Sequence, residues 1–271
     1  MKSRFVVAQM EQNGDPEINL ANARKAVAEA VEYYHADFIV FPECFMSLYP
    51  ARTPKETQLG SAQTLDGPFA TEMKKLAKDN HVWITFGMNE KVDNPADPRN
   101  HNTTMIIDSE GKVKGVYRKT HLYDAFGYKE SDTICPGDKL FDPIDTPFGK
   151  IGLFVCYEVR FPEVARDQVL KGADIILMPT AWASGPLKSH QFKTLITARA
   201  IENTAYIVAA DQVGVNSMGE SIIVDPMGVA VASAGETPQL ICATIDTDRI
   251  KEVRAKLPSF KDRRPYLYLV K

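Results

Sequence analysis

Two halves of the sequence carry the same order of elements, and this internal repeat restricts the folds open to the chain. In the first half a strand-like segment and an amphipathic helix precede the apolar run Phe38-Ile39-Val40-Phe41, which stops at Pro42. In the second half the apolar run from Asp174 to Met178 stops at Pro179 in the same way. A run that is apolar throughout predicts a strand covered on both faces. The sequence therefore predicts two α/β units of similar build.

Each half ends in a predicted hairpin, with turns at Asp108-Ser109-Glu110-Gly111 and Asp225-Pro226-Met227-Gly228. Alone, each βαβαββ-like half would leave one face of its sheet uncovered, so we expect the two sheets to pack together with the helices outside. The predicted fold class is α/β, as a four-layer αββα sandwich. Helices are predicted from apolar spacing at residues 18–34, 69–80, 163–171, 189–203 and 248–256.

We predict a single domain, residues 1–271, in which residues 246–271 form a C-terminal helix and tail. The alternative is two small α/β domains with a coincidental likeness. The aromatic tail, residues 260–271, lies outside the repeat. Two roles are open for it, covering a neighbouring subunit or packing on its own chain.

Composition and charge exclude several classes of protein. The 271 residues carry a net charge of -3, without the basic surface that nucleic-acid binding requires, so no nucleic-acid partner is expected. No apolar stretch approaches the roughly 18 residues of a membrane span, and the N-terminal apolar run is too short for a signal peptide. We expect a cytoplasmic protein. The four cysteines include no Cys-x-x-Cys pair and are expected to be reduced.

Three candidate reactive residues follow the ends of apolar strands: Glu43, Lys119 and Cys156. Ligand sites in open α/β sheets lie at the carboxyl ends of strands, so these residues can converge on one pocket. Each also has a simpler interpretation, as a buried small cysteine or as a surface Glu or Lys. His121 is an alternative base for a Cys-His hydrolase. The histidines have no metal-ligand spacing, so no metal site is predicted.

Four motifs, in this order, resemble those of the nitrilase superfamily of carbon-nitrogen hydrolases. They are Phe41-Pro42-Glu43, Tyr117-Arg118-Lys119-Thr120-His121-Leu122, Cys156-Tyr157-Glu158-Val159-Arg160-Phe161-Pro162-Glu163 and Met178-Pro179-Thr180-Ala181-Trp182. The resemblance implies the αββα sandwich, a homodimer or larger homo-oligomer, and no metal or organic cofactor. It also implies a catalytic triad of Glu43, Lys119 and Cys156, with a second glutamate matched by Glu130.

The implied reaction is amide hydrolysis through a thioester on Cys156. A thiol has a pKa of about 8.5 and needs a base at neutral pH, for which Glu43 is the candidate. The oxyanion would be held by the Lys119 ammonium and the backbone N–H of Tyr157. Glu130 would orient Lys119 or the substrate amide. Trp182 matches a position that commonly lines the family's pocket.

The residues after the nucleophile favour an amidase branch. Nitrile hydrolases of the superfamily usually carry Cys-Trp-Glu, whereas this chain has Tyr157 and resembles the Nit and ω-amidase branches. It departs from their commoner Cys-Tyr-Asp by having Glu158. We therefore predict a small aliphatic amide as the substrate. The alternatives are hydrolysis of a nitrile or N-carbamoyl compound, transfer of the acyl group to an amine, and a non-catalytic scaffold or interaction protein.

Further side chains near the motifs have two possible roles. Arg160 could bind a substrate carboxylate bidentately, or it could pair with Glu163 or another acid to hold the turn, which is the interpretation we favour. The aromatic residues near the motifs could line a pocket or pack structurally. They are Tyr49, Phe126 and Tyr128.

Overall fold

The computed structural model describes residues 2–11, 13–50, 52–94 and 96–268. In chain order its strands and α-helices are β1 (Lys2–Glu11), α1 (Pro16–Glu32), β2 (Phe38–Val40), α2 (Lys55–Gly60), α3 (Pro68–Asp79), β3 (Trp83–Lys91), β4 (Asn100–Ile107), β5 (Val113–Arg118), β6 (Asp124–Ala125), β7 (Tyr128–Lys129), β8 (Ile144–Thr146), β9 (Gly149–Leu153), α4 (Pro162–Leu170), β10 (Ile175–Pro179), α5 (Lys188–Asn203), β11 (Tyr206–Ala210), β12 (Gln212–Val213), β13 (Ile222–Val224), β14 (Ala230–Ser233), β15 (Gln239–Asp246) and α6 (Thr247–Lys256). Short 3-10 turns lie at Glu130–Asp132, Cys156–Arg160, Pro258–Phe260 and Pro265–Leu267.

Two mixed sheets contain the predicted repeat. The first has the strand order β15-β1-β2-β3-β4-β5, and β12 also pairs with the end of β1. The second has the order β14-β13-β11-β10-β9-β8. In each half three parallel strands are followed by two antiparallel ones, β1 to β5 in the first and β9, β10, β11, β13 and β14 in the second. The two βαβαββ-like halves are confirmed, each with one further antiparallel strand.

The sheets pack face to face, which confirms the αββα sandwich. Side chains alternate along β1, so Phe5 and Val7 belong to the core shared by the two sheets, whereas Val6 and Ala8 belong to a second core beneath α1 and α3. Phe148 contacts Phe5 edge to face, with ring centroids 5.9 Å apart. The strands β2 and β10 are buried on both faces, as their continuous apolar runs indicate.

The helices predicted from apolar spacing are found as α1, α3, α4, α5 and α6, whereas the short α2 was not predicted. Local capping explains where α1 begins. Asp15 caps α1, because its carboxylate accepts a hydrogen bond from the Glu17 N–H at 2.9 Å, and Pro16 fits the first turn. The faces of α1 and α3 that carry Val27 and Met73 are buried against the first sheet. No described helix is both long and apolar enough to cross a membrane.

The C-terminal segment returns to the first half of the chain. β15, a strand that the sequence analysis did not predict, pairs antiparallel with β1 from Lys2 opposite Asp246 to Gln9 opposite Gln239. The predicted helix follows as α6. In the tail, Phe260 packs on the chain's own core, with the Arg166 guanidinium 5.4 Å from its ring centroid. The tail is exposed at residues 266–268, and its predicted extension over residues 269–271 lies outside the described residues.

Candidate active site

Cys156 opens a tight turn directly after the second sheet. It begins the 3-10 turn Cys156–Arg160 beyond β9, and its backbone has a φ of 49°, in the left-handed region that non-glycine residues rarely occupy. The Cys156 side chain is only 8% exposed, and it lines the pocket described below. The thiol therefore faces a buried pocket and not bulk water.

The other three predicted residues meet as one buried ionic cluster. Glu43 follows β2, Lys119 follows β5, and Glu130 begins a 3-10 turn. The Lys119 ammonium donates to Glu43 Oε1 at 2.9 Å and to Glu130 Oε2 at 2.9 Å, and all three side chains are under one-tenth exposed. Two carboxylates thus share one cation away from solvent, so loss of Lys119 would leave two buried carboxylates without a counter-charge in this cluster.

Asn102, on β4, connects the two carboxylates and was missed from the sequence. Its Nδ2 donates to Glu43 Oε1 at 2.7 Å and to Glu130 Oε1 at 3.1 Å. A sequence signal was present, because the polar run Asn100 to Thr104 directly precedes the apolar end of a strand. In the structure this polar run is buried throughout. Buried polar side chains of this kind need partners.

The remaining Glu43 oxygen is fixed by the second half of the chain. Glu43 Oε2 accepts a hydrogen bond from the Ala181 N–H at 2.8 Å. Ala181 follows β10, so the contact joins the carboxyl ends of strands from both sheets. The carboxylate is therefore held on one side by Lys119 and on the other by the backbone beside Trp182.

The electrostatics leave the thiol protonated and the lysine charged at neutral pH. Burial, supported by the Glu43 carboxylate, raises the pKa of the Cys156 thiol well above its usual range, although the Lys119 ammonium acts in the opposite direction. Burial alone would lower the pKa of Lys119, but the Glu130 and Glu43 carboxylates outweigh it and hold that pKa well above the usual value. Nucleophilic attack by Cys156 therefore requires transfer of the thiol proton to a nearby base.

These residues line a pocket of about 380 Å³, a size suited to a small molecule. Cys156, Glu43, Lys119, Glu130 and Asn102 are all at its wall. Its aromatic lining is formed by Tyr49, Tyr123, Phe126, Tyr128, Tyr157 and Trp182.

Trp182 is fixed at this wall from behind. Its backbone N–H donates to Asp211 at 2.8 Å, and its indole N–H donates to the Lys188 carbonyl at 3.1 Å. The ring is therefore a fixed part of the pocket wall, at the position predicted to contact the substrate.

Two further cations, Arg160 and Lys188, line the same pocket as Lys119. The expected pairing of Arg160 with Glu163 or another acid is wrong for the described residues. Instead its Nη2 donates to Gln191 at 2.8 Å, and its guanidinium lies 5.0 Å from the Trp182 ring centroid. Lys188, which carried no sequence signal, begins α5. Its ammonium donates to the Tyr123 hydroxyl at 3.0 Å and lies 4.0 Å from the Phe126 ring centroid. Among the residues described, neither cation has a carboxylate partner.

His121 does not take part in the pocket. Its ring stacks on Phe161 with centroids 4.2 Å apart, and its Nδ1 lies 2.9 Å from the Thr120 hydroxyl. It is absent from the pocket wall, which leaves no role for it as the base of a Cys-His pair. In the part of the chain that the structure describes, no group of three or more His, Cys, Asp or Glu side chains could hold a metal ion.

Asn102→Ala tests the value of the bridging amide. The variant removes one donor from each carboxylate, and a hydrogen bond to a charged group contributes about 1.5–3 kcal/mol, so kcat is expected to fall roughly 10- to 100-fold. Steady-state kinetics measure the change. Asn89→Ala is the matched control, because Asn89 also lines the pocket but donates to the Ser47 carbonyl. Equal losses in the two variants would contradict a specific role for Asn102.

An αββα sandwich with a buried cysteine beside one lysine and two glutamates defines a member of the nitrilase superfamily. The family model described as Carbon-nitrogen hydrolase matches residues 6–255, and the chain belongs to this family. The chain is therefore a carbon-nitrogen hydrolase.

Similar proteins agree with this family. The chain is 36% identical to deaminated glutathione amidase of Escherichia coli O157:H7 over 240 residues, 88% of each protein. Its fold matches the solved structure of the C. elegans NitFhit protein with a TM-score of 0.89 and 32% identity, covering 98% of this chain and 66% of that one. It also matches a glutamate-to-glutamine mutant of the amidase from Nesterenkonia sp. AN1, with a TM-score of 0.79 and 25% identity, covering 98% of this chain and 95% of that one. That structure shows covalent addition of an acetamide moiety at the active-site cysteine.

Proposed function

We propose that the chain hydrolyses a small aliphatic amide to a carboxylate and ammonia through a thioester on Cys156, with Glu43 and Lys119 completing the triad. The observation that carries the proposal is the buried Glu43–Lys119–Glu130 cluster at the wall of the pocket that also contains Cys156. The covalent adduct on the cysteine of the similar amidase supports the same role for Cys156.

In the first step the sulfur bonds to the amide carbonyl carbon while the thiol proton passes to Glu43. The negative charge that develops on the carbonyl oxygen is stabilised by the Lys119 ammonium and the Tyr157 N–H. Tyr157 lies in the first turn of its 3-10 segment, where backbone N–H groups lack partners within the turn. The C–N bond then breaks, and ammonia leaves with the proton from Glu43.

In the second step water replaces ammonia. Glu43 takes a proton from the water molecule while the water oxygen attacks the thioester carbon, and the C–S bond breaks. The proton returns to the sulfur, which restores the thiol and releases the carboxylic acid. Glu130 and Asn102 do not exchange protons in this scheme. They hold the Lys119 ammonium and the Glu43 carboxylate in a fixed geometry, which reduces reorganisation during the reaction.

We further propose that the preferred amide carries a carboxylate. Arg160 and Lys188 bring positive charge to the pocket, and no carboxylate among the described residues pairs with either of them. Arg160 Nε is buried without a hydrogen-bond partner among the described residues, and a substrate carboxylate would satisfy it. The E. coli relative, named as an amidase of deaminated glutathione, agrees with a small polar amide.

The test of the reaction is ammonia release from a panel of short neutral amides, dicarboxylic acid monoamides, N-carbamoyl compounds and nitriles. We expect monoamides of dicarboxylic acids to give the highest kcat/KM. Product analysis with an added amine separates hydrolysis from acyl transfer. Exclusive activity on nitriles or N-carbamoyl compounds, or no activity on any amide, would contradict the proposal.

Arg160→Met and Lys188→Met test the charged subsite. Each variant is expected to raise KM for a dicarboxylic acid monoamide roughly 10- to 100-fold, the loss of one charge-assisted hydrogen bond. The matched control is the methyl ester of the same monoamide, whose KM should be unchanged because it has no charge to bind. Equal effects on the acid and the ester would show that these side chains act by packing alone.

The assembly and location stay predictions. We propose a cytoplasmic homodimer or larger homo-oligomer that acts on a small molecule without a cofactor. The tail supports an interface, because Tyr266, Leu267 and Tyr268 are each more than half exposed in the single chain. Light scattering after size-exclusion chromatography tests the assembly, and a monomer at micromolar concentration would contradict it.

A further inference from the structure

Glu158 is a buried carboxylate that lies outside the pocket wall and has no part in the proposed reaction. Its side chain is fully buried, two residues after Cys156 in the 3-10 turn Cys156–Arg160. A buried carboxylate is costly unless it is hydrogen-bonded or paired. In the part of the chain that is described, no lysine or arginine pairs with it, and the titratable side chain that faces it is His121, whose Nδ1 lies 3.4 Å from Glu158 Oε1.

One oxygen of Glu158 holds the nucleophile turn. Glu158 Oε2 accepts a hydrogen bond from the Val155 N–H at 2.7 Å, and Val155 immediately precedes Cys156. This contact closes the turn on itself and helps to fix the left-handed backbone at Cys156. The contact thus helps to set the direction in which the Cys156 side chain leaves the backbone.

The other oxygen holds the segment that carries Lys119. Glu158 Oε1 accepts from the Tyr117 hydroxyl at 2.7 Å, from the Thr120 N–H at 3.0 Å and from the Thr120 hydroxyl at 2.7 Å. The His121 N–H also donates, at 3.2 Å. These donors lie on both sides of Lys119 in the sequence, so a single carboxylate fixes the strand end from which the ammonium extends.

The carboxylate is maintained in its charged form by these donors. Burial alone would raise the pKa of Glu158, but hydrogen bonds from His121, Thr120 and Tyr117 outweigh it and lower the pKa below its usual value. Every group described above faces Glu158 with a donor hydrogen. An acceptor with two charged oxygens is therefore required, and a side chain that offers its own N–H groups would conflict with them.

We propose that Glu158 is a positioning residue that sets the distance between the Lys119 ammonium and the Cys156 sulfur. It ties the nucleophile turn and the lysine segment to two oxygens of one rigid group. The effect of this distance on catalysis rests on the proposed function. The effect of Glu158 on the electrostatic environment of Cys156 does not.

The test is Glu158→Gln, which keeps the shape but turns one oxygen into an NH₂ group that faces only donors. We expect kcat for the best amide to fall roughly 10- to 100-fold with KM nearly unchanged, because the side chain does not reach the pocket. We also expect the pH profile of Cys156 alkylation by iodoacetamide to shift upward by about one unit or more, because a displaced ammonium stabilises the thiolate less.

Gln168→Met is the matched control for a structural effect. Gln168 is also fully buried, and its amide holds Leu153, at the end of β9, without touching the lysine segment. This variant should lower the thermal unfolding midpoint and leave the alkylation profile in place. An equal alkylation shift in Gln168→Met and Glu158→Gln would overturn the proposal, as would a wild-type profile in a folded Glu158→Gln variant.

A second route covers the case in which Glu158→Gln does not fold. Combining Tyr117→Phe with Thr120→Val removes two hydroxyl donors from Oε1 and leaves the carboxylate and its contact with Val155 in place. The alkylation profile should again shift upward, and an unchanged profile would overturn the proposal. Alkylation needs no substrate, so a failure of amide hydrolysis in the wild-type enzyme would refute the proposed function without deciding this inference.

Discussion

Cys156→Ala is expected to abolish amide turnover while the chain stays folded. Removal of a nucleophile from a cooperating set lowers kcat by a factor on the order of 10⁴ to 10⁶. The fold should persist, because alanine loses only the sulfur and tolerates the left-handed φ of 49° no worse than cysteine does. Ammonia release measures turnover, and thermal unfolding reports the fold.

The matched control is Cys242→Ala, which removes a half-buried thiol from β15, away from the pocket. This variant should keep wild-type activity. Intact-mass measurement adds a positive result, because a slowly deacylated amide should leave one acyl group on the wild-type chain and none on Cys156→Ala. Activity retained by the alanine variant, or an adduct formed without Cys156, would refute the thioester.

Apolar runs made most of the architecture predictable. The strands β2 and β10 are short, continuous and closed by proline, so their position and their burial on both faces follow from local sequence. The same reasoning placed Glu43 and Cys156 at strand ends. Predicting that they meet in one pocket also required the likeness of the two halves. This likeness is visible in the sequence as a repeat, so no knowledge of long-range contacts was needed.

Pairing between distant segments was not predictable in the same way. β15 joins the first sheet beside β1, although it follows the second half in the sequence, and nothing local specifies that partner. Lys188 reaches the pocket only because α5 begins beneath the hairpin of β6 and β7. From the sequence alone, Lys188 cannot be distinguished from a solvated lysine, because the aromatic rings around it come from a distant segment.

The wrong prediction for Arg160 has a physical origin. Arg160 was expected to pair with an acid nearby in the sequence, because charged residues usually lie at the solvent-exposed surface. At this site the chain buries polar groups around a pocket, which is where local rules most often fail because function and not stability selects the residues.

Lys119→Met is expected to remove most of the activity and to destabilise the fold. The ammonium is the only cation between Glu43 and Glu130 in the described hydrogen-bond network, and both carboxylates stay buried after its loss. Loss of one donor to a developing oxyanion lowers kcat by about 10²- to 10³-fold. Removal of one partner from a buried ion cluster costs about 3–5 kcal/mol of unfolding free energy.

The pH dependence of this loss of unfolding free energy follows from the raised pKa of Lys119. A cation whose pKa is higher in the folded state contributes its full stability below the unfolded value, and that contribution is lost only as pH rises through the folded value. Urea unfolding should therefore show a large difference between wild type and Lys119→Met throughout neutral pH, narrowing only in the strongly alkaline range. Lys74→Met is the control, because Lys74 pairs with the exposed Asp66 and should show no measurable change. A Lys119→Met variant as stable as wild type at neutral pH would show that the cluster does not depend on its cation.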